Sequence, residues 1–233
     1  MAYSLIAHRA DGLGANGGTS GAIDTSGANL ITLAIASDAT NNIVAGDISD
    51  SKGNTGWTLA GAVYEGTNLA IQIFYKVSPV IGASHTFTAT RTGSVCSMAA
   101  AAWLGSATTP MDLFDGAAAD SGTSLSTPSG ITPSENNALV ISALGIGGSG
   151  TITDPAGLTR TDLAAFSGGN NYGVVMAYVI QTTAALVDPN WVSDTDESHS
   201  VVLVSFKNGS APVNGGGGSP TDGKILIAPV GFS

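Results

Sequence analysis

The chain has 233 residues, 43% of them hydrophobic, which is enough for one large β domain or two small ones. Only 10% are charged, and the formal net charge is −10, so the clustered Lys and Arg that phosphate recognition needs are missing and nucleic acid is excluded as a direct partner. No apolar run reaches transmembrane length, which excludes membrane insertion by a helix.

The chain opens with "MAYSLIAHRADG", which has no basic region followed by a long apolar stretch. No signal peptide is expected, and synthesis in a cytoplasm is. Leu5–His8 is a short strand candidate. "GLGANGG" has the glycines of a phosphate loop without its Lys-Ser/Thr or a following helix, and reads as a flexible loop. "ANLITLAIAS" is apolar on both faces, as a central strand buried between layers would be. Trp57–Tyr64 is the next strand candidate. "NLAIQIFYKV" then puts Leu69, Ile71, Ile73, Tyr75 and Val77 on one face. His85–Arg91 and Val95–Leu104 follow as separate strands. The second of these contains the alanine run "SMAAAAWL", whose small side chains suit close packing of layers, and the lone Cys96, expected to be buried and inert.

Leu139–Ile146 and Leu158–Ala164 are further strands, and "YGVVMAYVIQ" repeats the alternation with Tyr172, Val174, Met176, Tyr178 and Ile180. Asn190–Val192 and the two-faced apolar "SHSVVLVSFK" complete the series. Between them lie the turn signals "SKGN", "EGTN", "TPSG", "TPSENN", "DPAG" and "GNN". The expected fold is all-β: an antiparallel β-sandwich of jelly-roll or immunoglobulin-like kind with an extended C-terminal arm. No internal repeat stands out. Residues 1–207 read as one domain, followed by a Gly-rich linker over 208–223 and an apolar arm over 224–233.

The succession "SDSKGNTGWTL", "IQIFYKVSPVIGASHTFTAT", "AAWLGSATTPMDLFDGAAADSG" and "SGITPSENNALVISALG" resembles a diffuse family of β-sandwich domains found in tailed-bacteriophage structural proteins and bacterial surface proteins. The likeness spans roughly residues 29–206 and rests on turns and strand patterns. The chain departs from the pattern at Gly56, inserted before Trp57, and at "AAWLG", where the family more often has an acidic residue and an aromatic before Ser-Gly. The resemblance implies a structural or adhesive role and transfers no catalytic residue.

The chemistry-bearing residues are few. Asp47, Asp50 and Asn54 in "GDISDSKGN" are oxygen donors that a calcium ion would accept, but the spacing is not that of an EF-hand and a hairpin turn uses the same residues. "SDTDESH" gathers Asp194, Asp196, Glu197 and His199 just before a strong strand, where a solvated loop is expected rather than a carboxylate pair for glycoside hydrolysis. His8, His85 and His199 form no pattern along the chain. Trp57, Trp103, Trp191, Tyr64, Tyr172 and Tyr178 include the aromatics from which a sugar-stacking face would be built, although core packing suits most of them better. No enzyme and no cofactor is expected.

The C-terminal segment raises the most specific expectation. Gly209–Gly223 has the composition of a flexible spacer. Lys224, Ile225, Leu226, Ile227, Val230 and Phe232 then return to strand-like, apolar character. Such a segment suits folding back on its own domain, an engineered linker, or an assembly arm that adds a strand to a neighbouring subunit, and the arm is the expectation. The function expected is that of a non-enzymatic virion protein of a tailed bacteriophage, a capsid decoration, fibre or tail-associated subunit that contacts copies of itself and other virion proteins. The alternative is a carbohydrate-binding or adhesive module for host-surface glycans.

Overall fold

The computed structural model describes residues 2–209. The first half of the chain builds one antiparallel sheet from β1 (Ser4–Thr19), β2 (Leu30–Asp38), β3 (Ile48–Asp50), β4 (Thr58–Leu59), β5 (Tyr64–Glu65), β6 (Leu69–Val77) and β7 (Phe87–Leu104). The second half builds the facing sheet from β8 (Ser106–Ala119), β10 (Ala138–Ile146), β12 (Thr159–Ala164), β13 (Gly173–Gln181) and β15 (His199–Asn208). A small third sheet of β9 (Ser124–Ser126), β11 (Ile152–Thr153) and β14 (Asn190–Ser193) lies over the second. The chain switches sheets at Gly105, φ 115°, where a Cβ would come within 2.7 Å of the Ala2 carbonyl oxygen. No other residue type fits that corner without moving the N-terminal strand.

Alternation along the strands decides the layers. Leu69, Ile71 and Ile73 of β6 and Val174 and Met176 of β13 meet in the core between the two sheets, as their spacing predicts, with Tyr75, Val77, Tyr172, Tyr178 and Ile180 packed against it. The two-faced strands fill two cores. In β2, Leu30, Ala34 and Ala36 face inward, while Ile31, Leu33 and Ile35 join Ile43, Ile48, Trp57 and Phe87 on the outer side of the first sheet. In β15, Val202, Val204 and Phe206 face inward, while Val201 and Leu203 meet the cover formed with Trp191, Ile131 and Val187. Each large sheet is thus buried on both faces, which explains its nearly continuous apolar strands.

The two halves repeat one topology. Strand order is β1-β7-β2-β6-β4 in the first sheet and, in the same sense, β8-β15-β10-β13-β12 in the second. Leu30 lies opposite Trp103 and Val77, and Leu139 lies opposite Phe206 and Ile180. Tyr75 rests edge-on against Phe206 with ring centroids 5.5 Å apart, and Tyr178 rests edge-on against Trp103 at 4.9 Å. These two contacts are exchanged by a pseudo-twofold axis between the sheets. The sequence holds no evident repeat, as expected, but the structure repeats its strand order: some equivalent positions match, such as Leu30 with Leu139, and others do not, such as Leu33 with Ser142.

Two local expectations are also revised. "GLGANGG" is not a loop; it lies within β1, and its register against β7 shifts between Gly12 and Gly14 and between Ala15 and Gly17. Gly17, φ 78°, rides so close to the Ala89 backbone that a side chain would collide with it. His85–Arg91 and Val95–Leu104 are not separate strands, since β7 runs through both from Phe87. The Trp57–Tyr64 candidate is broken into β4 and β5 around Gly61, φ 86°, where the ring of Phe114 occupies the space of a Cβ.

Candidate functional site

The loop proposed as a cation site turns its oxygens to other partners. Asp47 Oδ2 accepts from the Val44 amide at 2.9 Å and from Arg91 Nη1 at 3.1 Å. Asp50 Oδ1 accepts from the amides of Lys52 at 2.9 Å and Asn54 at 3.1 Å. Asn54 is bound through both ends of its amide to the Val80 backbone, accepting at 2.6 Å and donating at 2.9 Å. The three side chains hold a turn and are not gathered on one point. Among the described residues no group of three or more His, Cys, Asp or Glu side chains is placed to hold a metal ion.

Each histidine lies against a carboxylate, and for His8 and His85 the partner is distant in sequence. His8 Nδ1 meets Asp162 Oδ2 across the seam between β1 and β12. His85 is buried, with Nδ1 2.9 Å from Thr25 Oγ1 and Nε2 3.4 Å from Asp50 Oδ2. This Thr–His–Asp set has the membership of a nucleophilic triad without access to substrate. Thr25 and His85 are fully buried, and Thr25 Oγ1 also takes the Gly82 amide at 3.0 Å. Burial lowers the His85 pKa despite the nearby Asp50 carboxylate.

The third set, in "SDTDESH", has the wrong order for nucleophile activation. Ser193 Oγ donates to Glu197 Oε1, and His199 Nε2 lies 3.7 Å from the same oxygen. The carboxylate therefore stands between hydroxyl and imidazole, where a triad needs the imidazole. Burial lowers the His199 pKa, against Glu197 and Asp196, which raise it. The neighbouring Asp194 and Asp196 accept from the amides of Thr151 at 2.7 Å and Gly122 at 2.6 Å. The backbone at Gly148 and Gly150 packs directly on Glu197, where a Cβ would collide with its carboxylate. Cys96 is buried, and burial pushes its thiol up to about 11, as an inert core thiol requires.

The tryptophans are core residues. Trp57, Trp103 and Trp191 are all buried, and the indole N–H groups of Trp103 and Trp191 donate to Thr32 Oγ1 and Ser142 Oγ, both at 2.9 Å. Aromatic surface remains at one end of the sandwich. There Phe166 and Tyr172 line a cavity of about 340 Å³ with Asn68, Asn171 and Ser198. Tyr172 Oη donates to the Asn68 carbonyl at 2.9 Å, and Asn171 Nδ2 to the Ala165 carbonyl at 2.6 Å. The polar wall is thereby fixed in place.

The opposite end carries the other feature. β8 is the last strand of its sheet and pairs only with β15. Beside it a groove of about 310 Å³ is lined by Thr58, Tyr75, Val77, Thr108, Pro110 and Met111. Past the groove, Leu113 is 40% and Phe114 50% exposed. A bulge sets Asp112 and Leu113 together against Ser205, while Met111 and Phe114 oppose the inward-facing Phe206 and Val204. Leu113 and Phe114 therefore present apolar surface on opposite faces of the edge. Asp112 anchors the bulge. Burial raises its pKa, but bonds from Ser134 and Ser205 and the charge of Lys207 outweigh this, and the net shift is downward.

The chain leaves the described sandwich beside this edge. Asn208 pairs with Ser106, and the Gly209 amide donates to the Gly105 carbonyl at 2.6 Å. The arm residues Lys224, Ile225, Leu226, Ile227, Val230 and Phe232 lie outside the described residues. The strand β8 itself, with its alternating "PMDLFDG", had a readable signal, an edge-type proline followed by mixed polarity. Compared with protein-family models, characterised proteins and solved structures, the chain matches none of them.

Proposed function

We propose that this protein is a non-enzymatic structural subunit of a tailed-bacteriophage virion, a jelly-roll or immunoglobulin-like sandwich that acts through contacts with copies of itself and with other virion proteins. The observation that carries the reading is the contrast between interior and edge. The polar side chains of catalytic type are buried away from solvent in the sets Thr25–His85–Asp50 and Ser193–Glu197–His199. The edge of β8, by contrast, bears apolar side chains on both faces. A chain with only 10% charged residues and 32 glycines offers much neutral, small-residue surface, which suits close contact between copies. Repetition in a particle multiplies modest contacts. The test is light scattering on the full chain and on a truncation ending at Asn208. Assembly of the first and a folded, monomeric second support the reading. Two stable monomers overturn it in the form that relies on the arm.

A second reading, glycan recognition, is favoured by the cavity of Phe166 and Tyr172 beside Asn68, Asn171 and Ser198. Aromatic faces next to fixed amide groups are what a sugar ring binds. Its position also suits adhesion, since it lies at the end away from Gly209. Chemical-shift changes confined to these residues on titration with oligosaccharides would support it, and a flat response across a glycan panel would remove it.

A further inference from the structure

We propose that the open flank of the sandwich, from Thr108 to Phe114 of β8, accepts the segment Lys224–Val230 of a second copy as an added strand. The inference rests on the assembly reading above and names its acceptor. It starts from the pseudo-twofold axis, which makes the flank between β1 and β12 equivalent to the flank between β8 and β4. On the first flank a continuous six-residue β12 lies along β1, and His8 and Asp162 join across the seam. On the second, the strand equivalent to β12 is broken into β4 and β5, each two residues long. What remains there is the groove of about 310 Å³ lined by Thr58, Tyr75, Val77 and Thr108–Met111. The unpaired edge of β8 runs along it.

The occupant follows from three properties. Lys224–Val230 matches the length of Thr108–Phe114, residue for residue. In an extended chain, Ile225 and Ile227 lie on one face and Leu226, Ala228 and Val230 on the other. Apolar side chains on both faces suit an edge that exposes Leu113 on one face and Phe114 on the other. Pro229 removes one donor and suits a strand with only one partner. The length of the spacer favours a second copy. Ser106, which pairs with Asn208, lies two residues from Thr108, so returning to the same molecule's groove needs only a short connection. By composition, residues 210–223 have a reach on the order of 20 Å, far more than that short return needs and enough to leave the molecule's own edge.

The test mixes two single-cysteine variants of the full chain, Met111→Cys and Ile227→Cys, whose positions lie opposite each other in either strand direction, under mild oxidation. The native Cys96 is buried and does not compete. A covalent dimer that contains one of each variant is the expected product. Thr109→Asp and Leu113→Asp, both at exposed positions, should each weaken association at least tenfold while leaving the melting of the Asn208 truncation nearly unchanged. A crosslink that forms only within a chain carrying both cysteines overturns the proposal in favour of folding back. If the full chain assembles but neither crosslinks nor responds to the Asp variants, the acceptor is wrong while the assembly reading stands. If the full chain is monomeric at every concentration, both fall together.

Discussion

The pseudo-twofold axis exchanges the two flanks of the sandwich, yet they are finished differently. Along β1 the seam is closed. The Asn171 side chain fills the space over Gly12, and His8 reaches Asp162. Along β8 only the upper stretch is covered, by Phe114 at Gly61 and by Tyr64 over Gly116. Below them the edge stays open. The difference traces to short stretches of sequence. β12 continues through "TRTDLA", whereas "TLAGAVYE" carries Gly61 in a left-handed conformation and interrupts its strand. One glycine, placed at a symmetric position, thus decides which flank faces solvent.

The symmetry itself is open to the hardest test. Trp103→Ala should cost about 3–5 kcal/mol by urea unfolding, because a buried indole and its contact with Tyr178 are lost. Phe206→Ala, which removes the exchanged contact with Tyr75, should fall within the same range. A cost below about 1 kcal/mol at either site would break the equivalence of the halves. Next in size is the closed flank. A Cβ at Gly12 would come within 2.8 Å of the Asn171 side chain, so Gly12→Val should cost about 1–3 kcal/mol. Thr109→Val on the open flank should stay within about 0.5 kcal/mol, since that residue is exposed.

Acid loads the interior rather than either flank. Burial holds the pKa values of His85 and His199 below the ordinary histidine value. Above about pH 6.5 both states are neutral and neither residue affects stability. As the pH falls below that value, the unfolded chain takes protons that the fold refuses, and stability drops by up to about 1.4 kcal/mol per pH unit for each proton. Urea midpoints between pH 7.5 and pH 5 should therefore decline, and the His85→Gln, His199→Gln double variant should flatten the slope. The smallest effect is expected at the exposed pair. His8→Ala should cost less than about 1 kcal/mol at pH 7, because a solvated partner adds little.

Much of the sandwich was legible because period-two alternation is a direct image of burial. Leu69–Val77 and Tyr172–Ile180 have the inward faces that their spacing assigns. The two-faced strands at Leu30–Ser37 and Ser200–Phe206 are interior ones, paired on both sides and buried on both faces, as uniform apolarity requires. What was not legible depends on contacts between distant segments. Glycines in "GLGANGG" serve a bulged strand because β7 passes against them, which composition alone reads as a loop. Two of the histidine–carboxylate pairs, His8 with Asp162 and His85 with Asp50, join residues far apart in the chain. The repeat escaped because Tyr75 and Tyr178 are identical while Trp103 answers to Phe206 and Leu33 to Ser142. At the candidate sites, the residue types were readable, but the order Ser–Glu–His at Ser193, Glu197 and His199 is a matter of geometry.

The sheet switch at Gly105 has a mechanical consequence. Tyr3 Oη donates to the Lys207 carbonyl at 2.8 Å, and Gly209 binds Gly105, so both ends of the described chain emerge at one pole. A load drawn out through Gly209 along the direction of β15 acts on a strand flanked by β10 on one side and β8 on the other. Its hydrogen bonds to both neighbours lie across the pull and must shear together instead of breaking singly. A subunit held through that exit would resist traction with an interior strand of its second sheet, paired on both sides, while the pole with Phe166 and Tyr172 faced outward.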